Sequence, residues 1–203
     1  MWIALLKVSS GLQPNEPDLS TAMIAIKPAV QPISGDGIRL RLLTENDLPL
    51  TLAWRNRDTA RSQFRNAEKL VQTAHRAWFD QQKKLNDRYY FIVENTEGGR
   101  AVGQVAIYNI NHVTCSAEVG AFVVAPEVEG RGFMKRAILE LIGWAFNVLK
   151  LRRVCLEVFA TNQRAIRVYE SCGFMQYGQS GEMLLMQKIK VENNSDSSAR
   201  AGA

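Results

Sequence analysis

The apolar and polar positions of the chain change period several times. "IRLRLL" (38–43) alternates, as a strand with one buried face does. Thr44 to Asn56 reads as a helix opened by "TEND". Val71 to Asp87 reads as a second helix, with Val71, Ala74, Trp78 and Leu85 on one face. "RYYFIVEN", the turn "TEGGR" and "AVGQVAIYNI" give a hairpin signal, two β-rich runs around glycines. "CSAEVGAFVVAP" is a further strand, ended by Pro126. From Met134 onward the apolar positions 134, 137, 138, 141, 142, 145, 148 and 149 all match the helical template. "RRVCLEVFA" reads as a buried strand and Asn162 to Cys172 as a short helix. Strands at about 174–180 and 182–190 close the pattern. The order β-α-α-β-β-β-α-β-α-β-β predicts an α/β (α+β) fold, a mixed sheet with helices packed on it.

Outside these elements the pattern fades. Residues 1–36 carry Pro14, Pro17, Pro28 and Pro32 without a sustained period, and are expected to be a flexible arm. Residues 191–203 are small and polar and are expected to be a disordered tail. One domain over 37–190 lies between. "MWIALLKVSS" has no basic region before its apolar run, so it reads as neither a signal peptide nor a membrane span.

Charge and chemistry narrow the classes. The net charge of +5 favours anionic small molecules, and no Lys/Arg stripe interleaved with aromatics points to nucleic acid. Cys115, Cys155 and Cys172 stand in apolar contexts without CxxC spacing, which reads as reduced core thiols of a cytoplasmic protein. The two histidines, His75 and His112, are far apart, so no metal site is expected, and His75 reads as a surface residue.

One loop asks for bare backbone. "EVEGRGFMKRA" (Glu127–Ala137) sets Gly130 and Gly132 around Arg131 between a strand and a helix N-terminus. There, unpaired N–H groups and the helix dipole make an anion site, and glycine lets a phosphate approach closely. A P-loop would need Gly-Lys-Ser/Thr, which is absent. A dinucleotide fingerprint would need glycine where Lys135 stands. A plain tight turn is the alternative.

The run from "EVGAFVVAPEVEGRGFMKRAI" to "NQRAIRVYESCGF" resembles the GNAT superfamily of acetyl-CoA-dependent N-acetyltransferases. That family's phosphate loop reads Gln/Arg-x-x-Gly-x-Gly/Ala, with Asn-x6-Tyr-x3-Gly-Phe following. Asn162, Tyr169, Gly173 and Phe174 hold the second spacing, and the likeness spans roughly Ile38 to Lys190. Glu129 and Met134 depart from the loop pattern. A carboxylate beside a diphosphate is unfavourable unless it points away. The resemblance implies a mostly antiparallel sheet of about seven strands, splayed between strands 4 and 5, with acetyl-CoA as co-substrate and no metal.

Carried over position by position, the resemblance implies that the backbone of Phe122, Val123 and Val124 pairs with pantetheine. The N–H groups of Gly130, Arg131, Gly132, Phe133 and Met134 would hold the diphosphate. The N–H of Val124, or of Val123, would stabilise the oxyanion. Tyr169 matches the general acid for the departing thiolate, with core packing as its alternative role. Asn162 would bond the cofactor arm, cap its helix, or do both. Glu118, on the strand leading to the oxyanion donor and on one face with Gly120, is the candidate base acting through water. Glu157 is its rival.

"LAWRNRDTARSQFRN" falls where such folds wall the acceptor pocket, which makes Arg55, Asn56 and Arg61 candidate substrate-binding residues; a solvated, charge-rich helix face is the alternative. "WRN" and "HRAWFDQQ" resemble the branch that acetylates nucleotide-linked amino sugars, and arginines suit a diphosphate. "NQRAIRVYESCGF" equally resembles the ribosomal-protein N-terminal acetyltransferases. A non-catalytic acyl-CoA sensor is a third reading, and a homodimer is a possible assembly. No membrane or nucleic-acid partner is expected.

Overall fold

A computed structural model of the chain describes residues 30–191. The expected arm up to residue 29, and the expected tail from 192 on, lie outside the described residues. Strands β1 (Ile33–Gly35), β2 (Ile38–Leu42), β3 (Tyr89–Asn95), β4 (Ala101–Asn111), β5 (Ser116–Val124), β6 (Arg153–Phe159), β7 (Met175–Ser180) and β8 (Met183–Ile189) form one sheet. Its spatial order is β1-β2-β3-β4-β5-β6-β8-β7. All neighbours are antiparallel except β5 and β6. Among the described residues five α-helices accompany the sheet: α1 (Leu48–Arg55), α2 (Asp58–Arg61), α3 (Gln72–Lys83), α4 (Phe133–Asn147) and α5 (Gln163–Ser171).

The eighth strand is β1, which falls in the segment expected to be arm. Its three residues pair with Ile38–Leu40 across the turn at Asp36–Gly37. A strand that short beside prolines shows no alternation to read.

The two sheet faces carry different helices. On one, Trp144 of α4 meets Tyr89 and Phe91 edge-on at 5.4 and 5.7 Å. On the other, Trp78 of α3 meets Tyr90 edge-on at 4.9 Å. α4 buries Ala137, Ile138, Leu141, Ile142 and Ala145, the stripe its periodicity predicts. It ends at Asn147, leaving Val148 exposed.

α3 presents a different face from the one expected. Its buried residues are His75 and Phe79, while Val71, Ala74 and Leu85 are exposed and Trp78 is half-buried. His75 is therefore not a surface residue. Its Nε2 lies 2.9 Å from the Thr51 hydroxyl of α1, and its ring stacks on Trp78 at 5.2 Å. Burial, with Arg55 adding to it, pushes the imidazole pKa down and favours the neutral ring.

An ion network ties β2, β3 and the start of α1. Glu94 accepts from Arg39 and Arg41, and Arg41 also donates to Asp47 at 2.7 Å. Burial alone would raise the Glu94 and Asp47 carboxyls; the hydrogen bonds from the arginines and from Thr44 outweigh it and hold both low.

The thiols divide. Cys172 is buried, whereas Cys115 and Cys155 are half-buried, so only one is a core thiol. Among the described residues there is no cluster of metal ligands and no helix long and apolar enough to cross a membrane.

Candidate functional site

The site begins where the sheet stops pairing. β5 and β6 run parallel and are paired only from Ser116–Arg153 to Glu118–Cys155. Beyond Glu118 no pairing joins them, so the C-terminal half of β5 borders a gap inside the sheet. A bulge helps to open it. Between the pairs Ala106–Gly120 and Gln104–Val123, β5 holds one residue more than β4, and Ala121 takes a φ of 52°. The extra residue keeps Glu118, Gly120 and Val123 on one face, although Gly120 and Val123 are three positions apart.

Register then decides which main-chain groups face the gap. Ala125 N–H donates to the Val102 carbonyl at 2.9 Å. In an antiparallel ladder the next pair, Gly103–Val124, must turn its N–H and C=O groups away from the partner strand. The Val124 carbonyl accordingly accepts from Arg57 Nη2 at 2.6 Å rather than from β4. Val123 is turned towards β4 instead: its carbonyl oxygen would lie 2.7 Å from a Cβ placed on Gly103. Of the two oxyanion donors left open by the sequence, Val124 is the one aimed at the gap.

At the end of β5, Pro126–Val128 makes one 3-10 turn, and the loop then reaches α4 through two glycines. Gly130 and Gly132 have φ of 80° and 77°, left-handed values that favour glycine. A Cβ at either would touch nothing within 4 Å, so backbone conformation, not crowding, requires glycine here. Arg131 N–H closes the loop onto the Val128 carbonyl at 3.2 Å. Among the described residues, the N–H groups of Gly130, Gly132, Phe133 and Met134 have no protein acceptor. They stand at the positive end of a 15-residue helix, the arrangement that suits a phosphate. Met134, at the second departure from the loop pattern, sends its methyl towards Gly103 and away from these donors.

Glu129 turns out of the loop's way. Its carboxylate accepts from Arg57 Nη1 at 2.7 Å and faces Arg164 Nη1 at 3.7 Å.

Tyr169 reaches the same region from α5. Its ring packs on Phe122 at 5.5 Å and on Phe174 at 6.2 Å, and it is almost fully buried. Burial, with Cys172 adding to it, pushes the phenol well above its ordinary pKa, so it stays protonated. Among the described residues its hydroxyl has no hydrogen-bond partner. Asn162 caps α5, its side-chain oxygen accepting from Ala165 N–H at 3.1 Å, which leaves its amide hydrogens available.

The carboxylates lie on the opposite face. A cavity of about 200 Å³ is lined by Asn109, Glu118, Arg153, Cys155, Glu157 and Tyr177. Glu118 accepts from Asn109 at 2.9 Å, and Glu157 is ion-paired with Arg65. Tyr108, paired across the strands with Glu118, extends over Gly120: a Cβ there would lie 2.5 Å from its hydroxyl. Burial raises this phenol too, with the Glu118 charge adding to it. Sequence reading missed Tyr108. The signal was Gly120, whose absent side chain makes room for it.

The arginine-rich segment does a structural task. Arg55 is buried, lies 3.7 Å over the Phe64 ring and donates to the Asn66 carbonyl at 2.5 Å; burial, then Arg61, brings its pKa down to about 10. Asn56 makes both of its side-chain bonds to the Leu70 backbone, each at 2.8 Å. Arg61 donates to the Ala67 carbonyl at 2.8 Å and to Asp58. Together they hold residues 62–70 against α1 and α2.

A gap within a sheet, a helix end with free N–H groups at its mouth and a buried phenol at its side define a class: a fold with room for a phosphate-bearing cofactor between its own strands. The sequence profile described as "Acetyltransferase (GNAT) domain" matches residues 38–175, and the chain belongs to that family. It is 31% identical over 107 residues to spermidine N(1)-acetyltransferase of Vibrio cholerae, covering 49% of this chain and 61% of that protein. It is 33% identical over 86 residues to the putative ribosomal N-acetyltransferase YdaF of Bacillus subtilis, covering 42% and 46%. The matches thus span about half the length of these curated relatives, up to the 61% of the first. Among solved structures, the Vibrio cholerae spermidine N-acetyltransferase in complex with CoA and spermine superposes with a TM-score of 0.69 at 25% identity. That match covers 75% of this chain and 95% of the other.

Proposed function

We propose that the chain transfers the acetyl group of acetyl-CoA to a primary amine by direct attack within a ternary complex. The observation that carries this reading is the gap beyond Glu118–Cys155, with the Val124 N–H facing it between the glycine loop and Tyr169. The loop's free N–H groups take the diphosphate, and pantetheine runs along Phe122 and Val124. The amine nitrogen forms its bond to the thioester carbon while Val124 N–H stabilises the oxyanion; loss of such a donor costs about 10²–10³ in rate. As the C–S bond breaks, the Tyr169 hydroxyl gives its proton to the thiolate. The amine's own proton leaves through water to Glu118.

For the acceptor, the likeness to spermidine acetyltransferases supports a cationic alkyl amine, and Glu118, held by Asn109 in a cavity it shares with Arg153, is the carboxylate that would face it. A nucleotide-linked amino sugar is the second reading. The likeness of "WRN" and "HRAWFDQQ" favours it, while Arg55, Asn56 and Arg61, the arginine-rich part of its support, bind the 62–70 loop. A protein N-terminal amine is the third, favoured by the YdaF-like stretch. Self-association belongs to the same proposal, since the edge strand β7 exposes Met175 and Tyr177.

Release of CoA thiol from acetyl-CoA, followed against spermidine-type amines, amino-sugar nucleotides and N-terminal peptides, tests the reading. Turnover with the alkyl amines is expected. Turnover only on sugars or peptides reassigns the acceptor, and CoA binding without turnover on any amine makes the chain a sensor.

A further inference from the structure

Arg57 makes the bonds that the departure at Glu129 calls for. It stands just before α2, and its guanidinium reaches the end of β5 and the start of the loop before α4. Nη2 donates to the Val124 carbonyl at 2.6 Å, Nη1 to Glu129 Oε1 at 2.7 Å, and Nε to the Trp54 carbonyl at 3.4 Å. The planar fork thus ties three segments: the end of α1, the last residue of β5 and the first residue of the glycine loop. Arg164, from the first turn of α5, approaches the other oxygen of Glu129.

We propose that Arg57 is the positioning residue of the cofactor side, acting in two ways at once. By holding the Val124 carbonyl it fixes the peptide next to the N–H that faces the gap. By masking Glu129 it allows a carboxylate to stand directly before the N–H groups of Gly130–Met134, which receive a diphosphate. Without Arg57, Glu129 is a negative charge beside two more, with Arg164 at 3.7 Å left to offset it. The inference rests on the reading of Gly130–Met134 as the diphosphate site.

The masking has a signature that a merely structural role lacks: removing Glu129 repairs the loss of Arg57. CoA affinity by calorimetry, and KM for acetyl-CoA beside kcat, are measured for Arg57→Ala, Arg57→Lys, Glu129→Gln and the double variant Arg57→Ala/Glu129→Gln. Circular dichroism and thermal melting check that each is folded. Arg57→Ala should weaken CoA binding about tenfold, the scale of one lost charge-assisted contact plus one exposed like charge. The double variant should return to within about threefold of the unaltered chain, and Glu129→Gln alone should bind slightly tighter. Lysine keeps the charge without the fork, so Arg57→Lys should retain CoA affinity while kcat still falls. Unchanged or tighter binding in Arg57→Ala, or a double variant as weak as Arg57→Ala, overturns the proposal. Were Arg57→Ala unfolded, Arg57→Lys and Glu129→Gln alone decide it by the same order. If the unaltered chain binds no CoA, the diphosphate reading itself fails; if it binds and the variants break this order, only the role of Arg57 does.

Discussion

In the proposed mechanism Tyr169 serves both packing and chemistry. Its ring fills the space between Phe122 and Phe174, while burial keeps its proton on well beyond neutral pH. A phenol of raised pKa can give that proton only to a group held close, so position carries the rate. Tyr169→Phe keeps the packing and removes the proton; it should lower kcat by about 10- to 1000-fold with little change in thermal midpoint. Thiol-release kinetics beside a melting curve check both halves, and an unchanged rate removes Tyr169 from the mechanism. Gly120 supplies a second residue-scale test. A methyl there meets the Tyr108 hydroxyl at 2.5 Å, on the face that carries Glu118. Gly120→Ala should displace Tyr108 and lower kcat, and Gly120→Ala/Tyr108→Phe, which removes the clashing oxygen, should recover part of the loss. A double variant no better than the single one shows that the clash is not the cause.

Among the elements, α3 is the one whose buried face sequence reading misplaced, and the reason is His75. An apolar stripe through Val71, Ala74, Trp78 and Leu85 looks like a core face, yet the helix buries His75 and Phe79 instead. A histidine passes for a polar outward position until Thr51 and Trp78 are seen to receive it. The misplacement has a measurable consequence. His75 has a folded pKa below the ordinary 6.5, so between the two values the unfolded chain binds more protons. This contribution to stability is fully present above about pH 6.5 and is lost as pH falls through that window. Asp47 and Glu94, held below their ordinary values, lose theirs only at more acid pH. The urea midpoint should therefore be lower at pH 5.5 than at 7.5, and His75→Gln should flatten the difference; an equal slope in the variant assigns the effect elsewhere. Elsewhere the pattern was legible because one face of each element is continuous. α4 and α5 lie where their periodicity and the Asn162 cap put them, and the seven longer strands fall on the runs read as strands. β1 was hidden by its three-residue length, and α2, a single turn, carries no period at all. For the candidate site, the family resemblance singled out Tyr169, Asn162 and the glycine loop, because the motifs that carry it are local in sequence. The partners of Glu129 were not legible, because Arg57 lies 72 residues away and only the fold brings it there.

At the scale of the molecule, the sheet is two halves hinged on a short parallel stretch. β1 to β5 form one run and β6, β8 and β7 another, joined by pairing only at Ser116–Glu118 and by α4, whose contacts reach both sides. A cofactor laid in the gap would act as a missing strand, adding main-chain bonds at Val124 and burying the apolar walls between Phe122 and Tyr169. Binding to the folded chain alone stabilises it by RT ln(1 + [L]/Kd), about 2.7 kcal/mol at a hundredfold excess over Kd. In a chain of this size each kcal/mol moves the thermal midpoint by about 2–4 °C, so CoA at that excess should raise it by about 5–10 °C. Hydrogen exchange should slow at Val124 and over Gly130–Met134, and the far hairpin of β3 and β4 should change less. Gly130→Ala sharpens the test. Its φ of 80° imposes a strain of about 1–2 kcal/mol on alanine whether or not CoA is present, so the unliganded midpoint should fall. If the loop relaxes to relieve that strain, its N–H groups no longer converge, and the CoA-induced rise should shrink as well. A full rise in Gly130→Ala would show that the loop keeps its shape under the strain, and exchange that slows only at the hairpin would move the cofactor out of the gap.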